Sequence, residues 1–178
     1  MENLVDIALT TARGRRLVVL IDGRSGAGKT TLAQKLSAQL AERLGRPIQT
    51  VSLDDVYPGW HGLAAGEAAV PKILANVDPG YRRYDWAQGR QTDWVELSPI
   101  MPIVVEGVGA LTPRSAQKAT LRIWLDGPEA VRRQAVVDRD GSVDDWWDDW
   151  AAQEQSHIKA DAPISLADIV ITGITPAN

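Results

Sequence analysis

One eight-residue segment constrains the fold of this chain more than any other, and it reads Gly23-Arg24-Ser25-Gly26-Ala27-Gly28-Lys29-Thr30. It matches the pattern G-x-x-x-x-G-K-[S/T], in which the backbone N–H groups of a glycine-rich turn surround the phosphates of a nucleotide. An apolar run at 17–21 precedes it, and a segment with helical periodicity at 30–44 follows. A strand, a glycine-rich turn and a helix in this order predict a phosphate-binding loop, and a merely flexible turn is the alternative.

Each residue type in this loop has a chemical reason to be there. Glycines let successive N–H groups turn toward an anion, and the start of the next helix adds partial positive charge. The Lys29 ammonium can reach the β- and γ-phosphates, and the Thr30 hydroxyl can ligate Mg²⁺. We therefore expect Mg²⁺ and ATP to bind here. The predicted contacts are Gly23, Arg24, Ser25, Gly26, Ala27, Gly28, Lys29, Thr30 and Thr31.

Further apolar runs of strand length lie at 48–53, 103–105, 121–125 and 167–171. The runs at 17–21 and 103–105 are continuously apolar, which is typical of strands buried on both faces of a parallel sheet. Helical patterns fall between the runs, at 30–44, at 128–138 and after Ser142. This alternation predicts an α/β fold: a doubly wound, mostly parallel five-stranded sheet with helices on both faces.

The segment at about 58–102 interrupts the alternation. It is rich in Gly, Pro, Trp and Tyr, and it contains one predicted short helix at about 67–76. Because it has too few aliphatic residues for a core of its own, we interpret it as an excursion beside the sheet. We therefore expect a single domain over residues 1–178, in which this excursion borders the site for a phosphate acceptor.

Composition and charge exclude several classes of protein. The chain has no cysteine, which excludes a disulfide scaffold and thiolate metal sites. Its net charge of −4 argues against nonspecific nucleic-acid binding. No apolar run approaches the ~18 residues of a membrane span, and the first residues lack the pattern of a signal peptide. We expect a cytoplasmic protein that binds neither nucleic acid nor membrane. A homodimer is compatible with the sequence, and His61 and His157 are too few and too far apart to predict a metal site.

Carboxylates follow two of the predicted strands. The second run leads into Asp54 and Asp55, and the third ends at Glu106. The carboxyl ends of parallel strands border the crevice where ligands bind in open α/β sheets. There, Asp54 or Asp55 could accept a proton from an attacking hydroxyl, and Glu106 could hold Mg²⁺ with Thr30. A capping role for either aspartate and a simple strand end at Glu106 are the alternatives.

Three arginines gather on the predicted helix after the fourth run, namely Arg132, Arg133 and Arg139. Planar guanidinium groups suit the charge that develops on a phosphoryl group during transfer. We predict a lid at about 132–142 whose arginines act in catalysis. An ordinary solvated helix face is the other interpretation.

Taken in order, these motifs resemble the uridine kinase and pantothenate kinase group of small-molecule phosphotransferases. The matching strings are GRSGAGKT, LDDVY, VVEGVG, RRQAVVDRD and ADIVI. The resemblance implies that Asp54 is the general base, that Tyr57 lies close to the substrate and that Glu106 assists Mg²⁺. It also implies that Arg132 or Arg133 acts with Arg139 in the lid.

The resemblance implies an ATP-dependent kinase that moves the γ-phosphate to a hydroxyl of a small molecule, with a nucleoside-like acceptor favoured. The string Tyr84-Asp85-Trp86 resembles the family's Y-D-F string, and the predicted substrate contacts are Asp54, Tyr57, Arg83 and Tyr84. Aromatic rings of the excursion would stack on a planar base, unless they serve only as core. The other functions considered are a regulatory or scaffold protein that binds ATP without transfer, and a GTP hydrolase.

Overall fold

Five parallel strands form the centre of the protein in a computed structural model that describes residues 1–172. These strands are β1 (Val18–Gly23), β2 (Gln49–Ser52), β5 (Ile103–Glu106), β6 (Leu121–Asp126) and β7 (Ile169–Thr172). A separate two-stranded sheet contains β3 (Gly80–Asp85) and β4 (Arg90–Glu96). The helices are α1 (Glu2–Ala12), α2 (Lys29–Leu44), α3 (Leu63–Ile73), α4 (Pro113–Ala116), α5 (Glu129–Asp140), α6 (Trp147–Asp161) and α7 (Pro163–Leu166).

The order of strands in the main sheet is β2-β5-β1-β6-β7, so β1 lies in the middle and all six of its residues are buried. Its Leu20 is paired with Val105 of β5 on one side and with Arg122 of β6 on the other. Because neighbouring strands are joined through helices rather than hairpins, the sheet can be parallel throughout. The predicted fold class, with its doubly wound five-stranded sheet, is confirmed.

The two faces of β1 contribute to two different cores. Val19 and Ile21 pack with α1 and α2, whereas Val18 and Leu20 pack with residues of α3 and with β2 and β5. This alternation follows from the period of two along a strand. It explains why the run at 17–21 is apolar at every position: neither face of this strand meets water.

The excursion differs from its prediction. Its helix α3 begins at Leu63 and ends at Ile73, several residues earlier than the predicted 67–76. The antiparallel pair of β3 and β4 was not predicted, because most of its side chains are exposed or half-buried and a register shift between Arg82 and Tyr84 interrupts the alternation. Helix α1 was also not predicted; it packs Val5, Ala8 and Ala12, a stripe of mostly small residues.

Across residues 1–172, no helix has both the length and the apolar character needed to cross a bilayer. Residues 173–178, the last part of the predicted single domain, lie outside the described residues.

Candidate functional site

A cavity of about 850 Å³ opens at the carboxyl ends of β1, β2 and β5. The phosphate loop, residues 23–31, forms one end of it through Gly26, Gly28, Lys29 and Thr30, among others. Side chains from the other predicted site segments also line it, namely Asp54, Tyr57, Glu106 and Arg139. The fold therefore brings the loop, both acidic strand ends and part of the predicted lid to a single cavity.

The backbone of the phosphate loop adopts conformations that favour glycine. Gly26 and Gly28 have φ angles of 76° and 84°, in the left-handed region. A Cβ atom on Gly26 would overlap the backbone carbonyl of Arg132, so α5 packs directly against the loop. Helix α2 begins at Lys29, whose Nζ donates a hydrogen bond to the Arg24 carbonyl at 3.0 Å. The ammonium group is therefore already held at the mouth of the loop.

Three of the predicted phosphate contacts do not line the cavity. Ala27 is fully buried in the core beneath the loop, and the Arg24 side chain forms an ion pair with Glu154 at 3.4 Å. Neither residue lines the cavity, nor does Gly23 at the end of β1. Any contribution of these three residues to an anion must come from their backbone.

Oxygen atoms for a metal ion meet between the loop and β5. Glu106 is buried, and its Oε1 accepts a hydrogen bond from the Thr30 hydroxyl at 3.1 Å. Burial raises the pKa of Glu106, and the nearby Lys29 charge and a hydrogen bond from Ser52 oppose that change. Because Mg²⁺ prefers carboxylate and hydroxyl oxygens beside phosphate, the predicted pair of Thr30 and Glu106 fits this ion.

The two aspartates after β2 face different surroundings. Ser52 caps a short 3₁₀ turn at Leu53–Asp55, which leaves Asp54 exposed and lining the cavity. The Asp54 carbonyl accepts a hydrogen bond from Trp86 Nε1 at 2.7 Å, which ties the turn to the excursion. Asp55 is half-buried and does not line the cavity. Of the pair, only Asp54 is placed to reach a ligand there.

Of the other predicted substrate residues, Tyr57 lines the cavity, whereas Arg83 and Tyr84 do not. Tyr57 lines the cavity, but its hydroxyl donates to the Val108 carbonyl at 2.7 Å, and burial followed by the Asp54 charge raises its pKa well above the ordinary value. Its hydroxyl is therefore already engaged, and with 1% of its surface exposed Tyr57 belongs to the core beneath the cavity. Arg83 is exposed on β3 and Tyr84 lies edge-on to Trp86; neither lines the cavity.

The three predicted lid arginines lie in three different environments. Arg139 lines the cavity and is paired with Asp140, a hydrogen bond that raises its pKa. Arg132 is buried, and it donates to the carbonyls of Ser25 and Gly127 at 2.9 Å each. Burial lowers the pKa of Arg132. Arg133 is exposed and paired with Asp144. Only Arg139 of the three is placed at the cavity, whereas Arg132 supports the loop from behind.

Helix α6 holds the phosphate loop through contacts that sequence reasoning missed. Glu154 is buried, and its Oε1 accepts a hydrogen bond from the Ser25 N–H at 2.7 Å. One turn earlier, Trp150 Nε1 donates to the Ser25 hydroxyl at 2.9 Å. The i, i+4 spacing of this tryptophan and this acid was an available signal, because it puts both on one helix face. Because Arg132 donates to the Ser25 carbonyl, the N–H, the hydroxyl and the carbonyl of Ser25 each have a partner.

Asp22 is a second residue that sequence reasoning missed. It is fully buried at the end of β1, where it accepts hydrogen bonds from the N–H groups of Gly23, Gly109 and Leu111 at 2.6, 3.0 and 2.8 Å. His157 Nε2 lies 3.1 Å from Asp22 Oδ2, the oxygen that also accepts from Leu111. Burial alone would lower the pKa of this histidine, but the carboxylates around it outweigh burial and raise the pKa to about 10. An acid directly after a continuous apolar run was the signal for Asp22.

Four tryptophans line the cavity, and one of them, Trp150, also contacts the loop through Ser25. Trp60 and Trp86 come from the excursion, and Trp146 and Trp150 come from the start of α6. Trp60 stacks on Trp146 with ring centroids 4.1 Å apart and an interplanar angle of 10°. Trp86 lies 4.7 Å from Trp60. These rings form an aromatic wall at the place where the excursion meets α6.

Neither the protein-family models nor the curated proteins include a match to this chain. Solved structures do match it. A candidate uridine kinase from Bacillus stearothermophilus is 24% identical with a TM-score of 0.62, covering 96% of this chain and 100% of its own. A candidate fructose transport system kinase from Silicibacter sp. TM1040 is 18% identical with a TM-score of 0.65, covering 95% and 97%.

A shikimate kinase from Acinetobacter baumannii is 16% identical with a TM-score of 0.52, covering 94% of this chain and 89% of its own. This chain therefore shares the fold of the P-loop kinases, including structures of the uridine kinase type, and the predicted resemblance holds at the level of the fold.

Proposed function

We propose that this protein is an ATP-dependent kinase that transfers the γ-phosphate of ATP to a hydroxyl group of a small molecule. The observation that carries the proposal is that the phosphate loop, an exposed aspartate, an arginine and the aromatic wall all line one cavity. The shared fold of solved P-loop kinases supports it.

At the donor end, the loop N–H groups and the start of α2 would bind the triphosphate. Lys29, held on the Arg24 carbonyl at 3.0 Å, would exchange that partner for a phosphate oxygen. A bound Mg²⁺ at Thr30 and Glu106 would supply positive charge to the phosphates. The task of this end of the cavity is to orient the γ-phosphate and balance its charge.

At the acceptor end, Asp54 would accept the proton of the attacking hydroxyl. Its carboxylate is exposed to the cavity, so an incoming hydroxyl can reach it without a rearrangement of the core. Arg139 lines the same cavity and would stabilise charge on the transferred group. A general base of this kind contributes about 10²–10⁴ in rate.

The aromatic wall favours an acceptor with a planar ring, in line with a nucleoside-like compound. Trp60 and Trp86 present partly exposed faces to the cavity, and the Tyr57 ring lines it as well. Such faces stack on planar groups with little loss of conformational freedom. Arg83 and Tyr84 remain predicted substrate contacts, and Tyr84 packs against Trp86 at a centroid distance of 5.2 Å.

The neighbouring aspartates give a matched test. The protein would be incubated with Mg-ATP and a panel of nucleosides, vitamins and sugars, and ADP formation and phosphorylated product would be measured. Asp54→Asn should bind ATP normally and lose about 10²–10⁴ in turnover. Asp55→Asn, outside the cavity, should retain most of its turnover. Equal losses, or loss only in Asp55→Asn, would contradict the assignment.

The same panel separates this proposal from the other two functions. Tight ATP binding without transfer to any acceptor would favour a regulatory or scaffold protein. Hydrolysis that prefers GTP and needs no acceptor would favour a GTP hydrolase.

A further inference from the structure

A second groove, of about 350 Å³, lies between α3 and α6, and it is lined by three potential metal ligands. Glu67 comes from α3, and His157 and Asp161 come from α6. Glu67 Oε1 lies 2.9 Å from His157 Nδ1, and Asp161 Oδ2 lies 3.2 Å from the same nitrogen. One ligand atom of each residue lies within 4.8 Å of those of the other two.

In this arrangement two carboxylate oxygens compete for one imidazole hydrogen. A ring nitrogen carries at most one hydrogen, so Nδ1 cannot donate fully to both carboxylates. Glu67 Oε1 is buried, and the Nδ1 atom that lies 2.9 Å from it is shared with Asp161. A divalent cation that displaces the Nδ1 proton would contact this nitrogen and both carboxylates at once.

The other side of the imidazole is arranged as it is in metal-binding histidines. His157 is fully buried, and its Nε2 lies 3.1 Å from Asp22 Oδ2. A carboxylate on one ring nitrogen fixes the orientation of the ring and increases the basicity of the other nitrogen. Here that contact directs Nδ1 toward Glu67 and Asp161. Three carboxylates surround this single imidazole, so the local charge also favours a divalent cation.

We propose that Glu67, His157 and Asp161 form a binding site for a divalent transition-metal ion, with Zn²⁺ bound more tightly than Mn²⁺. His157 and Asp161 are one helical turn apart and present their ligand atoms on the same side of α6, while Glu67 closes the site from α3. One imidazole and two carboxylates suit Zn²⁺ and its neighbours better than Mg²⁺. Three protein ligands leave a further position for water from the groove.

Such an ion would connect the excursion to the phosphate loop. It would join α3 to α6 directly, and through His157 it would fix Asp22, which binds the N–H groups of Gly23, Gly109 and Leu111. A ligand that binds only the folded state raises its stability. The site is separate from Thr30 and Glu106 and does not depend on the proposed kinase activity.

The test is a titration of the EDTA-treated full chain with ZnCl₂, MnCl₂ and MgCl₂ in separate calorimetry runs, each paired with a thermal-melt series. We expect one Zn²⁺ per chain, weaker Mn²⁺ binding, no heat from Mg²⁺ alone at this site and a melting temperature raised by Zn²⁺. Binding of Co²⁺ should give visible absorption bands of a protein-ligated ion.

Variants locate the site. Asp161→Asn should weaken Zn²⁺ binding at least tenfold, a loss at the scale of a disturbed metal shell. Asp149→Asn, at an exposed position of the same helix, and His61→Ala, the other histidine, should bind Zn²⁺ as the parent does. If Asp161→Asn does not fold, Glu67→Gln serves instead. Equal Zn²⁺ binding in the parent and in the Asp161 or Glu67 variant, or no binding at all, would overturn the proposal.

Different variants test the kinase proposal and the metal-site proposal, so either one can be contradicted without the other. Lys29→Ala should keep Zn²⁺ binding even if it loses every response to ATP, and Asp161→Asn should still bind Mg-ATP. Loss of Zn²⁺ binding in Lys29→Ala would mean that the metal binds at the phosphate loop, which would also overturn the proposed site.

Discussion

The loop residues at the donor end of the cavity are held by buried partners, whereas two rings of the aromatic wall, Trp60 and Trp86, stay partly in water. Ser25 is bound by Glu154 and Arg132, which are 2% and 1% exposed. Trp60 and Trp86, in contrast, are 42% and 39% exposed. Buried hydrogen bonds fix the geometry of the loop, whereas partly exposed rings can accommodate groups of different shape, a division that suits the proposed kinase function. The following predictions test this contrast.

The largest effect is expected where the loop touches α5. Gly26→Ala places a Cβ in the left-handed region and against the Arg132 carbonyl, so its free energy of unfolding should fall by about 2–5 kcal/mol. Gly14→Ala is the matched control, because Gly14 has a similar φ of 77° and no atom within 4 Å of the added carbon.

Urea unfolding of both variants measures the difference. Gly14→Ala should lose only the backbone contribution of about 1–2 kcal/mol. Equal losses at the two glycines would show that the contact between the loop and α5 contributes nothing.

A smaller effect is expected at Glu154. Glu154→Gln removes the charge that accepts the Ser25 N–H and pairs with Arg24, so the free energy of unfolding should fall by about 1–3 kcal/mol. The affinity for Mg-ATP should fall with it, because the loop loses its support. Glu42→Gln on an exposed face of α2 should change stability by less than about 0.5 kcal/mol. Unchanged stability and ATP affinity in Glu154→Gln would mean that α6 does not hold the loop.

Much of the donor end follows from local sequence. The loop, its preceding strand and its following helix are contiguous, so their pattern predicts both the turn and its ligand. The contacts of Asp22 and Glu154 were missed because most of their partners are far along the chain; Ser25 and Glu154 are 129 positions apart. No local pattern reports which side chains a helix at the other end of the sequence will bring against a loop.

The acceptor end was predicted less well for a physical reason. Most side chains of β3 and β4 are exposed or half-buried, so hydrophobic periodicity, the main sequence signal, is weak there. Arg83 is exposed on β3 and does not line the cavity. The sequence correctly places the three lid arginines on one helix. The direction in which each side chain points depends on tertiary packing, which buries Arg132 and leaves Arg133 in solvent.

The smallest effect is expected at the aromatic wall. Trp60→Ala removes the ring stacked on Trp146. The KM for an acceptor with a planar ring should rise by about 2–12-fold, because one aromatic contact contributes about 0.5–1.5 kcal/mol. The KM for ATP should not change. Trp94→Ala, equally exposed but outside the cavity, is the control. A changed KM for ATP with an unchanged KM for the acceptor would reverse the assignment of the two ends.

The most direct test of the central claim is calorimetric titration of the protein and of Lys29→Ala with Mg-ATP. The protein should bind one Mg-ATP and melt at a higher temperature in its presence. Lys29→Ala should keep the fold and lose most of this binding, while Lys35→Ala, exposed on the same helix, should bind as the parent does. Absence of heat and of thermal protection in the parent, or equal binding in Lys29→Ala, would contradict the claim that residues 23–31 bind the phosphates of a nucleotide.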